Sequence, residues 1–141
     1  MPLESGEDIR TLLEATRIIA LVGASANADR PSHEVMAFLQ KQGYRVIPVN
    51  PGLAGQQLLG ETAVARLADI EVPIDLVDIF RNSEAAGPIV DEAISAGAKA
   101  VWMQLDVINP EAAARAEAAG LKVVMNHCPK IEIPRLGPLK G

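Results

Sequence analysis

The chain has 141 residues, 49% of them hydrophobic but only 3% aromatic, and a formal net charge of −5. That length fits one domain, residues 1–141, whose core must be filled by aliphatic side chains and alanine. An isoelectric point near 5.0 argues against nonspecific binding to nucleic acid or to an acidic membrane, since both need basic faces.

The single cysteine, Cys128, rules out an intrachain disulfide and fits a reducing, cytoplasmic compartment. The acidic start Met1–Asp8 lacks the apolar centre of a signal peptide. No apolar run approaches the roughly 18 residues of a membrane span.

In chain order, Ser5–Thr16 is predicted helical, with Ile9, Leu12 and Leu13 on one face. Ile18–Val22 is an unbroken apolar run ending in Gly23-Ala24-Ser25, the pattern of a buried parallel strand. A polar turn leads to Pro31, a residue favoured at the first position of a helix because its missing N–H had no partner there. Val35, Met36, Phe38 and Leu39 then recur at helical spacing up to Gly43. Strand, polar loop and helix together present backbone N–H groups and a positive helix end to an anion. The expectation is a site for a phosphate-bearing nucleotide.

Arg45–Val49 is the second predicted strand. Asn50–Gly60 reads as a loop with a short edge strand at Leu58-Leu59, and Glu61–Leu67 as containing a helical turn. Leu76–Phe80 is a strand, followed by a helix from about Pro88 to Ala96. Ala100–Met103 is a strand, and Asn109-Pro110 marks a helix start, an Asn cap followed by Pro at the first position. Leu121–Met125 is the last strand. The tail from His127 to Gly141, with Pro129, Pro134 and Pro138, is predicted to be an irregular strap.

Gly43, Gly97 and Gly120 each stand between a predicted helix and an apolar strand. Three such joints indicate repeated βα units and a mainly parallel, doubly wound α/β sheet with the first strand central. Ligands of such sheets lie at the carboxyl ends of the strands. Gly23–Ser32, Asn50-Pro51, Phe80–Ser83 and Trp102–Asn109 should therefore converge.

Each convergent segment offers candidates. The first loop, with one glycine, is not the G-x-G-x-x-G dinucleotide fingerprint, and the second strand ends in Asn50 rather than an acid. Both features weigh against a nicotinamide cofactor. Ser25, Asn27 and Ser32 supply hydrogen-bonding side chains. Arg30 lies just before the helix, where a cation opposes the helix dipole unless an anion joins it; pairing with Asp29 or Glu34 is the plainer alternative. Arg81 falls on the ligand edge. Asn82 and Ser83 are cap-type residues, with capping favoured for Ser83. Phe80 either flanks a base or finishes the core. Trp102 is either a half-buried packing residue or a wall for the distal part of the ligand, with Gln104 on the same face. His33 either contacts the anion or belongs to a polar helix face. His127 and Cys128 are adjacent, which does not suit a shared metal, and neither has an activating partner at a recognisable spacing.

The motifs Val22-Gly23-Ala24-Ser25, Arg30-Pro31-Ser32, Gly43–Pro51, Phe80-Arg81, Ala98–Leu105 and Cys128–Glu132 extend in order over nearly the whole chain. Together they resemble the small stand-alone CoA-binding domain proteins, which are similar to the N-terminal CoA-binding domain of the succinyl-CoA synthetase α subunit. The resemblance implies a Rossmann-like fold and coenzyme A, or an acyl-CoA, as ligand. It places the diphosphate near Gly23, Ala24, Ser25, Arg30, Pro31 and Ser32. It places the adenosine near Asn50, Pro51, Phe80 and Arg81, and the pantetheine toward Trp102, Gln104 and Leu105. Two positions depart from the family pattern: Asp106 stands where Gly is expected, and Ile133 replaces a more polar residue. The synthetase's phosphorylated histidine lies on a domain with no counterpart here, so the resemblance implies binding and supplies no catalytic mechanism. The rival readings are a nicotinamide-dependent enzyme and an acyl-CoA-modifying enzyme using His127 or Cys128.

Overall fold

The computed structural model describes residues 1–137. Helix α1 (Gly6–Ala15) is capped by Ser5, whose Oγ accepts from the Asp8 N–H at 3.1 Å. It leads into β1 (Ile18–Val22), α2 (Pro31–Lys41) and β2 (Arg45–Val49). A small hairpin, β3 (Gln57–Leu58) and β4 (Glu61–Thr62), stands apart as a two-stranded sheet. Then follow β5 (Leu76–Ile79), α3 (Ser83–Ser95), β6 (Ala100–Met103), α4 (Pro110–Ala118), β7 (Lys122–Met125) and α5 (Pro129–Leu136).

The main sheet has the order β2-β1-β5-β6-β7, and every adjacent pair is parallel. Alternation along each strand gives two cores. Ile19, Leu21, Leu76 and Trp102 face one way and pack with residues of α1, α2 and α5. Ala20, Val22, Val77, Ile79, Val101 and Met103 face the other way and pack with α3 and α4. This is the doubly wound, Rossmann-like α/β domain expected. β1 is interior, flanked by β2 and β5, although the middle position belongs to β5. The chain leaves β1 for β2 on one side and returns with β5 on the other. The carboxyl ends of β1 and β5 therefore form the point where the winding reverses, and ligands of open α/β sheets collect there. Pro48 lacks a ladder N–H and is tolerated because β2 is the outer strand of the main sheet.

The three glycine joints hold: Gly43, Gly97 and Gly120 have φ of +99°, +76° and +91°, the left-handed turn that stops a helix. Three other expectations need correction. The segment Glu61–Leu67 carries β4 in place of a helical turn, and the turn lies later, as a 3-10 helix over Leu67–Asp69. Helix α3 begins at Ser83 and not near Pro88, because Asn82 caps it: Oδ1 accepts from the Ala85 N–H at 2.8 Å. The tail is not an irregular strap. Pro129 starts α5, where its missing N–H costs nothing, and Ile133 is buried against the α1/α2 face. Pro134 sits inside this short helix. The predicted strap's end, Pro138–Gly141, lies outside the described residues.

Candidate functional site

The carboxyl edge opens from Gly23. Its φ is +93°, and a Cβ built there would stand 2.6 Å from the Phe80 carbonyl oxygen. Only glycine lets the end of β1 lie that close to the end of β5. Beyond it the loop folds on its own side chains. Ser25 Oγ accepts from the Asn27 N–H at 3.1 Å, and Asn27 Oδ1 from the Asp29 N–H at 2.9 Å. These turns deliver the chain to Arg30, the N-cap residue of α2, which makes no side-chain cap bond.

Arg30 is thus a cation at the positive end of a helix, as the sequence places it. The plainer alternative, pairing with Asp29 or Glu34, is not what the structure contains: Glu34 instead meets Lys130 Nζ at 3.7 Å. Among the described residues neither Arg30 nor Arg81 forms an ion pair.

Three adjoining hollows run along this edge. The first, about 470 Å³, is lined by Gly23, Asn50, Pro51, Arg66 and Arg81 among others. The second, about 450 Å³, is lined by Gly23, Ala24, Ser25, Arg30, Pro31, Ser32, Asn50, Phe80 and Arg81. The third, about 620 Å³, lies between the α2 start, the turn after β6 and the α5 start, where Phe80, Arg81, Gln104, Leu105, Cys128 and Ile131 contribute. Arg81 lines all three, so they form one groove pivoting on its side chain.

Asn50 lines the groove but is engaged in holding its shape. Its Nδ2 donates to the Ala24 carbonyl at 2.8 Å and its Oδ1 accepts from the Gly52 N–H at 2.9 Å. The amide has one further N–H beyond these two bonds. Phe80 packs against the α2-side core, as one of its two readings has it, and it also forms wall in two of the hollows.

Trp102, Asn82, Asn27 and His33 do not line the groove. Trp102 is completely buried, and its indole N–H donates to the His127 carbonyl at 2.8 Å. It is a core residue that ties β6 to the start of the tail and offers no surface as a wall. Asn82 is occupied as the α3 cap and lines none of the three hollows. The capping expected of Ser83 is corrected with it: Ser83 is the first helical residue, and its Oγ accepts from the Ile108 N–H at 2.9 Å. His33 also lines none of them.

The turn after β6 is tied in place. Asp106 has φ +67°, and its N–H donates to Asn126 Oδ1 at 2.7 Å. A left-handed position explains why glycine is the residue expected there. Gln104 is more than nine-tenths buried, and its Oε1 has no hydrogen-bond partner among the described residues. Asp78 lies beneath, on β5 between Leu21 and Trp102 in register. It is fully buried with neither carboxylate oxygen bonded among the described residues, and burial pushes its pKa well above the usual carboxylate value.

Arg66 and Lys130 are groove residues that sequence reading missed. Arg66 follows a hairpin misread as a helical turn, and Lys130 belongs to a helix misread as a strap. The signal for Lys130 was present in Cys128-Pro129, a proline at a helix start.

A family model described as a CoA binding domain matches residues 17–134. An uncharacterized protein of Bacillus subtilis (strain 168), YneT, is 37% identical over 127 residues, 90% of this chain and 93% of that protein. A hypothetical protein from Pyrococcus horikoshii OT3 is 39% identical with a TM-score of 0.90, covering 96% of each chain. A Thermus thermophilus protein of known structure is 36% identical with a TM-score of 0.90, covering 95% of this chain and all of that one.

Proposed function

The chain belongs to the CoA-binding domain family, and from that premise we propose that it binds coenzyme A or an acyl-CoA along the groove, without catalysing turnover. The observation that carries this reading is the pair of groove arginines without ion pairs among the described residues, in a protein of net charge −5. A cation at a helix N-terminus with no ion pair among the described residues, as Arg30 is, is unfavourable unless an anion joins it, and Arg81 lines the same hollow. A diphosphate between Gly23–Ser32 and Arg81 supplies that anion. The adenosine then extends past Asn50 and Pro51, and the pantetheine passes Phe80 toward Gln104 and Leu105. The third hollow, the largest of the three, gives a long flexible arm room.

The nicotinamide reading is weaker. Dinucleotide enzymes place an acid at the end of the second strand for the ribose hydroxyls. Asn50 carries no charge and is engaged with backbone. An acyl-CoA-modifying enzyme would need an activated nucleophile. His127 Nδ1 lies 3.5 Å from Glu132 Oε2, but among the described residues no hydrogen bond joins the Cys128 thiol to a base. No cluster of metal-ligating side chains is present among the described residues. No helix among them is long and apolar enough to cross a membrane. The cytoplasm fits the cysteine usage.

The test is calorimetric titration of one sample with CoA, acetyl-CoA, NAD and ATP, with an assay for acyl-CoA synthesis and hydrolysis. CoA should bind more tightly than NAD, and no turnover should be seen. NAD binding tighter than CoA would overturn the ligand reading. Turnover abolished by Cys128→Ser or His127→Ala would overturn the noncatalytic one.

A further inference from the structure

The inner wall of the third hollow carries a thiol. Cys128 is buried from bulk solvent yet lines this cavity, and it is the N-cap residue of α5 with no side-chain cap bond. Its sulfur is therefore uncommitted among the described residues, at the start of α5. Lys130, paired with Glu34, lines the same cavity. A second feature points to an occupant: Gln104, more than nine-tenths buried, shares this wall, and its Oε1 is unbonded. A buried amide oxygen without a donor is costly, and a ligand bearing N–H groups removes the cost. Around the mouth, Leu105 and Ile131 are about half exposed, at 46% and 47%. Cavity, free thiol and orphaned amide together describe a place for a chain that carries amides and ends in sulfur.

We infer that Cys128 is a thiol–disulfide exchange site that captures coenzyme A as a mixed disulfide inside the third hollow. The inference rests on the CoA reading and deepens it. The co-reactant is the symmetrical disulfide of CoA. The Cys128 thiol releases its proton to water, and the thiolate attacks one sulfur of the disulfide. One S–S bond breaks and one forms; the departing CoA thiolate takes up a proton. Nothing is oxidised or reduced overall, so no further oxidant is required. The product is a stoichiometric adduct, reversed by excess thiol, and distinct from catalytic turnover.

The direction of capture comes from binding. A disulfide held in the groove presents its sulfur to Cys128 at a local concentration in the millimolar range, as a short tether does. At roughly 10 µM reagent this makes modification by CoA disulfide on the order of 100-fold faster than by glutathione disulfide, which has no groove to bind.

The experiment is intact-mass spectrometry of the full chain, reduced and freed of thiol, then mixed with CoA disulfide or with glutathione disulfide. Peptide mapping locates the adduct, and acetyl-CoA, which has no free thiol, serves as competitor. Reduced CoA is titrated calorimetrically into the same sample. The expected result is one adduct of CoA less two hydrogens at Cys128, formed about 100-fold faster than the glutathione adduct, slowed by acetyl-CoA and absent in Cys128→Ser. The wild-type rate ratio stands even if that variant folds poorly. CoA binding without an adduct overturns the exchange site and leaves the binding reading intact. Equal rates for the two disulfides, or no protection by acetyl-CoA, also overturn it. Neither binding nor adduct overturns both readings.

Discussion

The two edges of the main sheet are built from the same strands and treat their polar groups in opposite ways. At the amino edge charges are matched. Asp75 Oδ2 accepts from the backbone N–H of Arg17 and of Ile18, both at 2.9 Å, and Oδ1 lies 3.4 Å from Lys99 Nζ. Burial works against the charged form, yet these hydrogen bonds and the lysine hold the Asp75 pKa below the ordinary carboxylate value. The Tyr44 hydroxyl donates to the Leu13 carbonyl at 2.8 Å, and burial pushes its pKa up to about 12. At the carboxyl edge, Arg30 and Arg81 have no ion pair among the described residues, Gln104 Oε1 has no donor, and Asp106 is held in a left-handed turn. One edge fastens the strands to each other. The other keeps polar groups without partners among the described residues, the arrangement on which the proposed CoA site rests.

Substitutions on both edges sharpen this contrast. The largest effect is expected from Gly23→Ala, which must absorb both the positive φ and the 2.6 Å approach to the Phe80 carbonyl. Urea unfolding should show a loss of about 2–4 kcal/mol, with weakened CoA binding. An unchanged midpoint would mean that β1 and β5 are not locked together at this edge.

Asp78 comes next and concerns the core between the edges. Its folded-state pKa is raised, so the folded protein holds a proton that the unfolded chain releases above the ordinary carboxylate pKa. Stability should be greatest below that value and fall as pH rises toward the folded pKa. Asp78→Val removes both orphan oxygens and should gain about 1–3 kcal/mol at neutral pH, with a flatter profile. Unfolding midpoints at acid, neutral and alkaline pH decide it; a destabilised variant would show that the carboxyl has a partner.

At the amino edge, Asp75→Asn should lose about 1–2 kcal/mol at neutral pH through weakened charge-assisted hydrogen bonds. The folded pKa here is lowered, so the contribution is present above the ordinary carboxylate value and lost as pH falls through the folded pKa. The gap between wild type and variant should therefore close in acid. A gap independent of pH would mean that charge is not what Asp75 supplies.

The smallest effect is expected at Asp106→Gly. Relief of the left-handed backbone exceeds the entropy cost of glycine by less than about 1 kcal/mol, a small upward shift in melting temperature. A downward shift would show that the Asp106 side chain is itself structural.

Periodicity and punctuation made the fold legible. Short apolar runs such as Ile18–Val22, bounded by turn residues, read as buried strands, and three glycines mark where helices stop. The misreadings have local causes. β4 pairs only with β3, and a two-residue strand leaves no periodic trace. Proline in the tail suggested irregular chain, yet Pro129 stands where a helix accepts it. Placement of Arg30 and Arg81 followed from counting strand ends. What Asn50 and Trp102 do did not follow, because both are decided by long-range hydrogen bonds, to Ala24 and to His127. A sequence shows that a residue reaches an edge, but not which other segment claims its polar atoms.

The central claim is that Arg30 and Arg81, without ion pairs among the described residues, hold the phosphates of the ligand. The direct measurement is a CoA titration of wild type, Arg30→Ala and Arg81→Ala, with thermal melts of each without ligand. A hydrogen bond to a charged group is worth about 1.5–3 kcal/mol, so each change should weaken CoA roughly 10- to 100-fold while the melting temperatures stay together. Lysine at either position should restore affinity only in part, because it lacks the planar fork of guanidinium donors. Unchanged affinity in both variants, or lost affinity with collapsed melting temperatures, would contradict the account.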